Sequence, residues 1–201
     1  RGLADVLSAM GALCNVVERW DEARVYLEES VALSRAEGDE HGLRSSLTNL
    51  ANLSFYTGDF AKAKLDYEEV LGLCRKVGDR SSTAILLSNL GAIASESGDY
   101  PEALRLIQEG AALFREVNHP QAVIQATTML SAVHRALGRF DEARNELCEA
   151  LDEALRRHLE HLIPYALFEL SQLHAATGEV ETALELMEWV VANPSTIGEH
   201  K

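Results

Sequence analysis

Over the first forty positions apolar residues recur at i, i+3, i+4 and i+7: Leu3, Val6, Leu7, Met10, Leu13, Cys14 and Val17. That is the period of a helix with one buried face. The same spacing returns in Phe60, Ala63, Tyr67, Val70, Leu71 and Cys74, and again in Val123, Leu130, Val133 and Leu137. No β-branched alternation of period two competes with it. Between the amphipathic runs stand Gly58-Asp59, Gly98-Asp99 and Gly138-Arg139. Glycine accepts the left-handed C′ position that ends one helix, and aspartate can cap the next. Gly38-Asp39 and Gly78-Asp79 play the same part between one helix pair and the next, and Pro101 and Pro120 sit where helices begin. The pattern predicts an all-α chain of about ten helices arranged as hairpins.

The hairpins repeat with a period of 40. Cutting at 1–40, 41–80, 81–120, 121–160 and 161–200 aligns five segments without a gap. Their twenty-third column is Ala23, Ala63, Ala103, Ala143 and Ala183, preceded three residues earlier by Trp20, Phe60, Tyr100, Phe140 and Val180. The tenth column is Met10, Leu50, Leu90, Leu130 and Leu170, and the next is always small: Gly11, Ala51, Gly91, Ser131 and Ser171. A length of 201 residues alone leaves one or two domains open. The unbroken register predicts one elongated repeat domain over 1–201.

These columns resemble the tetratricopeptide repeat (TPR). Its apolar, Leu-Gly, Tyr, Ala-x3-Phe signature is matched by Leu87, Leu90-Gly91, Ala94, Ala103 and Ile107, and by Leu47, Leu50-Ala51, Ser54, Ala63 and Tyr67. The Gly-Asp-aromatic-x-x-Ala turn at Gly58–Ala63 and Gly98–Ala103 is the more specific part of the match. HEAT and armadillo repeats have a similar period and lack that turn. The resemblance implies a right-handed α-solenoid of helical hairpins. The present repeat is 40 residues rather than 34, and the proline that usually closes the second helix is absent from segments one to four, so a longer second helix is expected. Strings such as 27–40 and 87–103 resemble the repeats C-terminal to the ATPase module of bacterial STAND-type signalling proteins and transcriptional activators. Similar repeats also occur in eukaryotic polarity adaptors. The end, 185–195, resembles the last repeat of such arms, after which a further helix is expected.

Composition narrows the function classes. Apolar residues make up 47% of the chain and charged residues 25%, the balance of a globular protein. Eighteen Lys and Arg against 32 Asp and Glu give a net charge of −14, which opposes nucleic acid and anionic membrane surfaces as direct partners. The surplus is uneven, at −5, +1, −3, −2 and −5 by segment, the last counted with Lys201. No apolar run reaches a membrane span's length and no basic stretch leads into one, so a cytoplasmic protein is expected. Cys14, Cys74 and Cys148 form no short-spaced pair, which fits a reducing compartment. The start at Arg1 rather than Met reads as a segment of a longer chain.

No Gly-rich phosphate loop, H-E-x-x-H or G-x-S-x-G is present, so no catalytic residue and no cofactor is assigned. His158 and His161 flank Glu160, and His134 and His174 share one column. A zinc site needs three or four converging ligands, so these histidines are read as packing or solvated groups and no metal is expected. In tetratricopeptide arrays the outer face of each first helix lines a concave groove that holds a peptide. The resemblance implies as groove residues Asn49, Asn52, Phe55, Tyr56, Ser88, Asn89, Gln125, Arg135, Tyr165, Phe168, Glu169 and Gln172. Amides can hold an extended backbone through both donor and acceptor. The competing reading is that these asparagines only stack helices. The cationic pair with which chaperone-binding members clamp a C-terminal carboxylate has no counterpart in these columns. The expected function is a non-catalytic protein- or peptide-binding scaffold, the sensory or interaction arm of a larger signalling protein. The alternative is self-association, a homodimer through repeat ends that lack polar capping helices. The alanine column reads as a close helix crossing, so Ala103→Leu should overpack it and lower the unfolding free energy by ~1–3 kcal/mol in urea titration.

Overall fold

A computed structural model describes residues 2–192. Among the described residues there are ten α-helices and no strand. They are α1 (Gly2–Val16), α2 (Trp20–Glu37), α3 (Glu40–Tyr56), α4 (Phe60–Val77), α5 (Arg80–Glu96), α6 (Tyr100–Glu116), α7 (Pro120–Ala136), α8 (Phe140–Arg156), α9 (Ile163–Thr177) and α10 (Val180–Ala192). A 3₁₀ turn, Glu160–Leu162, precedes α9. No described helix is long and apolar enough to cross a membrane. The chain divides into two compact units, Arg1–Ile93 and Ala94–Lys201, the division falling within α5.

Every helix from α1 to α9 ends on the same device. Residues 18, 38, 58, 78, 98, 118, 138, 158 and 178 all have positive φ, one every 20 residues. Six are glycine; the others are Glu18 (φ 60°), Asn118 (φ 51°) and His158 (φ 55°). In each case the next residue's N–H reaches back five residues to a helix carbonyl. Arg19 bonds Cys14 O at 2.8 Å, Asp59 bonds Ser54 O at 2.8 Å, and Leu159 bonds Ala154 O at 2.9 Å. This is the Schellman closure, which satisfies carbonyls that the helix end would otherwise orphan. The left-handed conformation is therefore imposed by the fold even where the residue is not glycine.

Capping by aspartate is selective. Asp59 accepts the N–H of Lys62 at 3.1 Å, Asp79 that of Ser82 at 3.0 Å and Asp99 that of Glu102 at 3.3 Å, while Asp39 makes no cap bond. His119 Nδ1 does the same for Ala122 N–H at 3.3 Å. First and second helices are of similar length: α3, α5, α6, α7 and α8 have 17 residues, and α2 and α4 have 18. The added length of the repeat is therefore shared by both helices rather than confined to the second.

In the first unit α1 pairs with α2 and α3 with α4, and α3 also packs on α2. Ala23 and Ala63 are completely buried. The small column faces them: a Cβ added at Gly11 would lie 2.5 Å from Leu27 Cγ and 3.2 Å from the Ala23 carbonyl. Backbones approach there too closely for a larger side chain. Buried hydroxyls bind three helices together, with Ser30 Oγ donating to Ala4 O at 2.6 Å and lying 2.7 Å from Ser46 Oγ. In the second unit α6 packs on α7, α7 on α8, and α8 on α9. Ala143, Leu147, Ala166 and Leu173 form one buried cluster and Ile124, Ala150, Ala154 and Leu162 another.

A non-glycine residue held left-handed costs ~1–2 kcal/mol, part of which glycine recovers against its larger unfolded-state entropy. Glu18→Gly and His158→Gly should each raise the urea unfolding free energy by roughly 0.5–1 kcal/mol, whereas Gly98→Ala should lower it by about 1 kcal/mol. Destabilisation by both glycine substitutions would contradict this account of the turns.

Candidate functional site

The groove residues implied by the sequence fall on the first helix of each pair, and the two units use them differently. In the first unit the amides join neighbouring helices. Asn49 Nδ2 on α3 donates to Ser8 Oγ on α1 at 3.2 Å. The buried Tyr67 hydroxyl on α4 donates to Asn52 Oδ1, and Asn89 on α5 hydrogen-bonds to the same hydroxyl. Burial pushes the Tyr67 phenol well above its ordinary pKa, reinforced by neighbouring Tyr56 and opposed by the Asn89 bond, so it stays protonated as a donor. Asn52, Phe55, Tyr56 and Asn89, with Tyr67 and Ala92, line a cavity of about 110 Å³. Phe55 is half-buried, its ring centroid 5.5 Å from Phe60 and 5.9 Å from Tyr56, which is exposed. Ser88 spends its hydroxyl on the Ala84 carbonyl at 3.1 Å.

The second unit brings Gln125 and Tyr165 together across α7 and α9. With Thr128, Met129, Ile124 and Leu162 they line a largely apolar cavity of about 190 Å³. Ile124 and Leu162 are buried, while Gln125 and Tyr165 are exposed. The irregular start of α9 shapes this gap, since the 3₁₀ turn places Leu162 there in place of a first helical turn. Further along the same two helices Arg135 Nη2 donates to Glu169 Oε2 at 3.1 Å. Phe168 is exposed and Gln172 half-buried. Neither is among the residues lining the cavity.

One arrangement was not legible in the sequence. Arg44 at the start of α3 pairs with Asp79, the cap of α5, at 3.1 Å, and Arg44 Nη1 lies 3.7 Å from Cys74 Sγ. With Thr48, Asn49 and Ile85 these residues line a cavity of about 280 Å³. The partners stand 35 positions apart, near the two ends of segment 41–80, so helix periodicity could not have signalled that they meet. Ser82 N–H and hydroxyl, with Arg44, hold the Asp79 carboxyl below the usual carboxylate range.

The shared-column histidines are packed groups with engaged tips. His134 is buried, its Nδ1 2.9 Å from Glu146 Oε2, and burial pushes Glu146 up against the opposing pull of His134. His174 Nδ1 lies 2.9 Å from Glu179 Oε2 and holds that carboxyl down. His158 and His161 are exposed. No group of three potential metal ligands converges among the described residues. Cys74 is buried, Cys14 half-buried and Cys148 exposed.

Paired helices of similar length, left-handed turns at fixed spacing and first helices carrying amide, aromatic and apolar groups define a helical-hairpin repeat protein with a lined first-helix face. The chain belongs to the family of MalT-like TPR regions, which matches residues 3–197. No curated protein matches it in sequence. Among solved structures it is similar to kinesin-light-chain TPR-like repeats of Podosopora anserina, at 20% identity, covering 96% of this chain and 95% of that one with a TM-score of 0.78. It also resembles a STAND protein with a tetratricopeptide repeat sensor from Pyrococcus horikoshii, at 16% identity and a TM-score of 0.81. Here 96% of this chain covers 30% of that one. The Rap conjugation gene regulator of plasmid pLS20, solved with the Phr* peptide, matches at 17% identity and a TM-score of 0.72, over 79% of this chain and 44% of that one. These likenesses establish the fold.

The depressed Asp79 pKa has a stability consequence. Its contribution is present above the ordinary carboxylate pKa near ~4 and is lost as pH falls through the lower folded value. Asp79→Asn keeps a cap acceptor and removes the charge. It should lower stability by about 1 kcal/mol at neutral pH, with the difference from the parent shrinking in urea titrations carried progressively below pH ~4.

Proposed function

We propose that this chain is a non-catalytic module that binds a peptide or protein segment along the exposed face of its first helices. The observation that carries this reading is the α7–α9 cavity of about 190 Å³, where buried Ile124 and Leu162 form an apolar floor and Gln125, Thr128 and Tyr165 stand at its sides. An apolar floor with a few polar groups around it is how a protein surface takes one anchoring side chain and fixes the backbone that carries it. The ligand contributes an aliphatic or aromatic anchor there, beside exposed Phe168 and the Arg135–Glu169 pair. In the first unit the asparagines of α3 and α5 are tied to neighbouring helices by one bond each, and an amide retains further donor or acceptor capacity for a bound backbone.

The wider role we infer is that of the sensory or interaction arm of a larger bacterial signalling protein acting in the cytoplasm. The likeness to a STAND protein carrying a TPR sensor supports the host class, and the peptide seen with a Rap regulator supports the kind of partner. A charge of −14 disfavours nucleic acid in the same role.

Peptides selected from a random phage-displayed library against the immobilised chain provide the test. They should share an apolar anchor residue and lose at least about tenfold in affinity, roughly 1.4 kcal/mol, when Gln125→Trp lays an indole across the cavity. Asn49→Ala with Asn89→Ala should weaken peptides held on the first unit while circular dichroism stays unchanged. Full affinity in both variants would remove the first-helix face as the binding surface.

A further inference from the structure

Between the C-terminal ends of α6 and α8, over the start of α7, lies a cavity of about 530 Å³, within the ~300–1,000 Å³ typical of small-molecule sites. Substitution within the repeat explains it. The seventh column of the segments is Leu7, Leu47, Leu87 and Leu167, but Thr127 in the fourth. In the first unit the matching columns hold Leu47 and Val70, each 1% exposed, and half-buried Leu73. Here they hold Thr127, Ala150 and Glu153, so both volume and apolar surface are removed. Ile124, Thr127 and Ala150 are buried and form the floor. The Thr127 hydroxyl donates to the Val123 carbonyl at 2.9 Å and keeps its own acceptor capacity.

The charges at the rim are parted as well. In the first unit Arg35 on α2 forms a 2.6 Å ion pair with Glu69 on α4. The same columns two segments on are Arg115 on α6 and Glu149 on α8, both exposed and both lining the cavity. Among the described residues neither of these side chains forms an ion pair or a hydrogen bond. Arg156 and Arg157 are committed instead to Glu153, at 2.8 and 2.6 Å. Near Arg115 the lining includes Pro120 at the N-terminus of α7, which favours an anion. It also includes His119, whose Nδ1 accepts the Ala122 N–H and leaves Nε2 as a donor. An unpaired cation on one helix and an unpaired anion on another thus border one cavity with a mostly apolar floor.

We propose that this cavity binds a small zwitterion, an amino acid or dipeptide with both termini free and an apolar side chain. The ligand carboxylate pairs with Arg115 and the His119 Nε2–H beside the start of α7. Its ammonium pairs with Glu149, and its side chain rests on Ile124 and Ala150. The arrangement is the Arg35–Glu69 pair opened, with the ligand completing each half by a charge-assisted hydrogen bond. An ion of a single sign would engage one of the two groups and bring nothing to the other. The inference stands apart from the first-helix reading, since the two cavities share only the buried Ile124.

Isothermal titration calorimetry of the chain with leucine, phenylalanine and leucyl-leucine at millimolar concentration provides the test, with N-acetyl-leucine and leucinamide as blocked counterparts. At least one free probe should saturate a single site, and blocking either terminus should weaken binding by about tenfold or more. The amino acids against the dipeptide tell which length the cavity takes. Arg115→Gln and Glu149→Gln, both at exposed positions, should each cost a similar factor. Thr127→Leu with Ala150→Val restores the side chains found at these columns in the first unit. It should abolish binding and leave the melting temperature unchanged or raised; if it loses its helical circular dichroism, the two glutamine variants decide alone. Gln125→Trp should leave these affinities unchanged, so loss of the phage-selected peptides and loss of the zwitterion report on different surfaces. No saturable heat with any free probe overturns the proposal. Equal binding of N-acetyl-leucine, which makes this an anion site only, overturns it too, as does binding that survives in a folded Thr127→Leu, Ala150→Val variant.

Discussion

A left-handed residue every 20 positions, closed by a hydrogen bond from the following N–H to a helix carbonyl, is the constraint on which the rest of the structure rests. Each closure ends one helix, and in all but one case the next starts two residues after the left-handed one, so every full-length interior helix has nearly the same number of residues. Equal helices with identical turns repeat the same pairing geometry. The small column then takes a close neighbour: Gly11 lies against the Leu27 side chain and the Ala23 carbonyl, where a single added carbon would clash. Were the turn to slip by one residue, each helix would rotate by about 100°, and the alanine column would leave the crossing it was chosen for. That Glu18, Asn118 and His158 accept the same strained conformation shows how strongly packing on both sides enforces it.

Functional surface arises where the periodicity is used or broken. The amide columns of the first unit are partly consumed in holding helices together, through Ser8 and the protonated Tyr67 hydroxyl. Helix stacking and ligand binding are therefore compatible roles for one residue type, because an amide has more hydrogen-bonding capacity than one neighbour uses. The second unit departs from the pattern at Glu160–Leu162, and the apolar cavity lies against that departure. A perfectly periodic α9 would present a helical first turn there instead of the buried Leu162.

Charge follows the same logic of neighbours. Arg35 with Glu69 joins one segment to the next, and Arg44 with Asp79 ties the start of α3 to the cap of α5 across the length of one segment. Partly exposed pairs of this kind add little stability singly. Their value lies in register, since a helix docked one turn out of place would leave both charges without partners.

Helix positions, turn residues and the hairpin repeat were legible in the sequence, because apolar spacing and glycine placement are local consequences of helix geometry. The columns around Ala23 and Gly11 were legible as well, since close approach leaves a size requirement that repeats five times. The equal lengthening of both helices and the left-handed state of Glu18 and His158 were not, because propensity argues against them and only packing on both sides imposes them. Nor could the candidate site be assembled from columns alone. Gln125 and Tyr165 meet while Phe168 and Gln172 stand off from the cavity, and Arg44 finds Asp79 at the far end of its own segment. Distances between side chains of neighbouring helices depend on how those helices cross, which tertiary packing decides. Residue type and helical face are set by the chain itself, residue by residue.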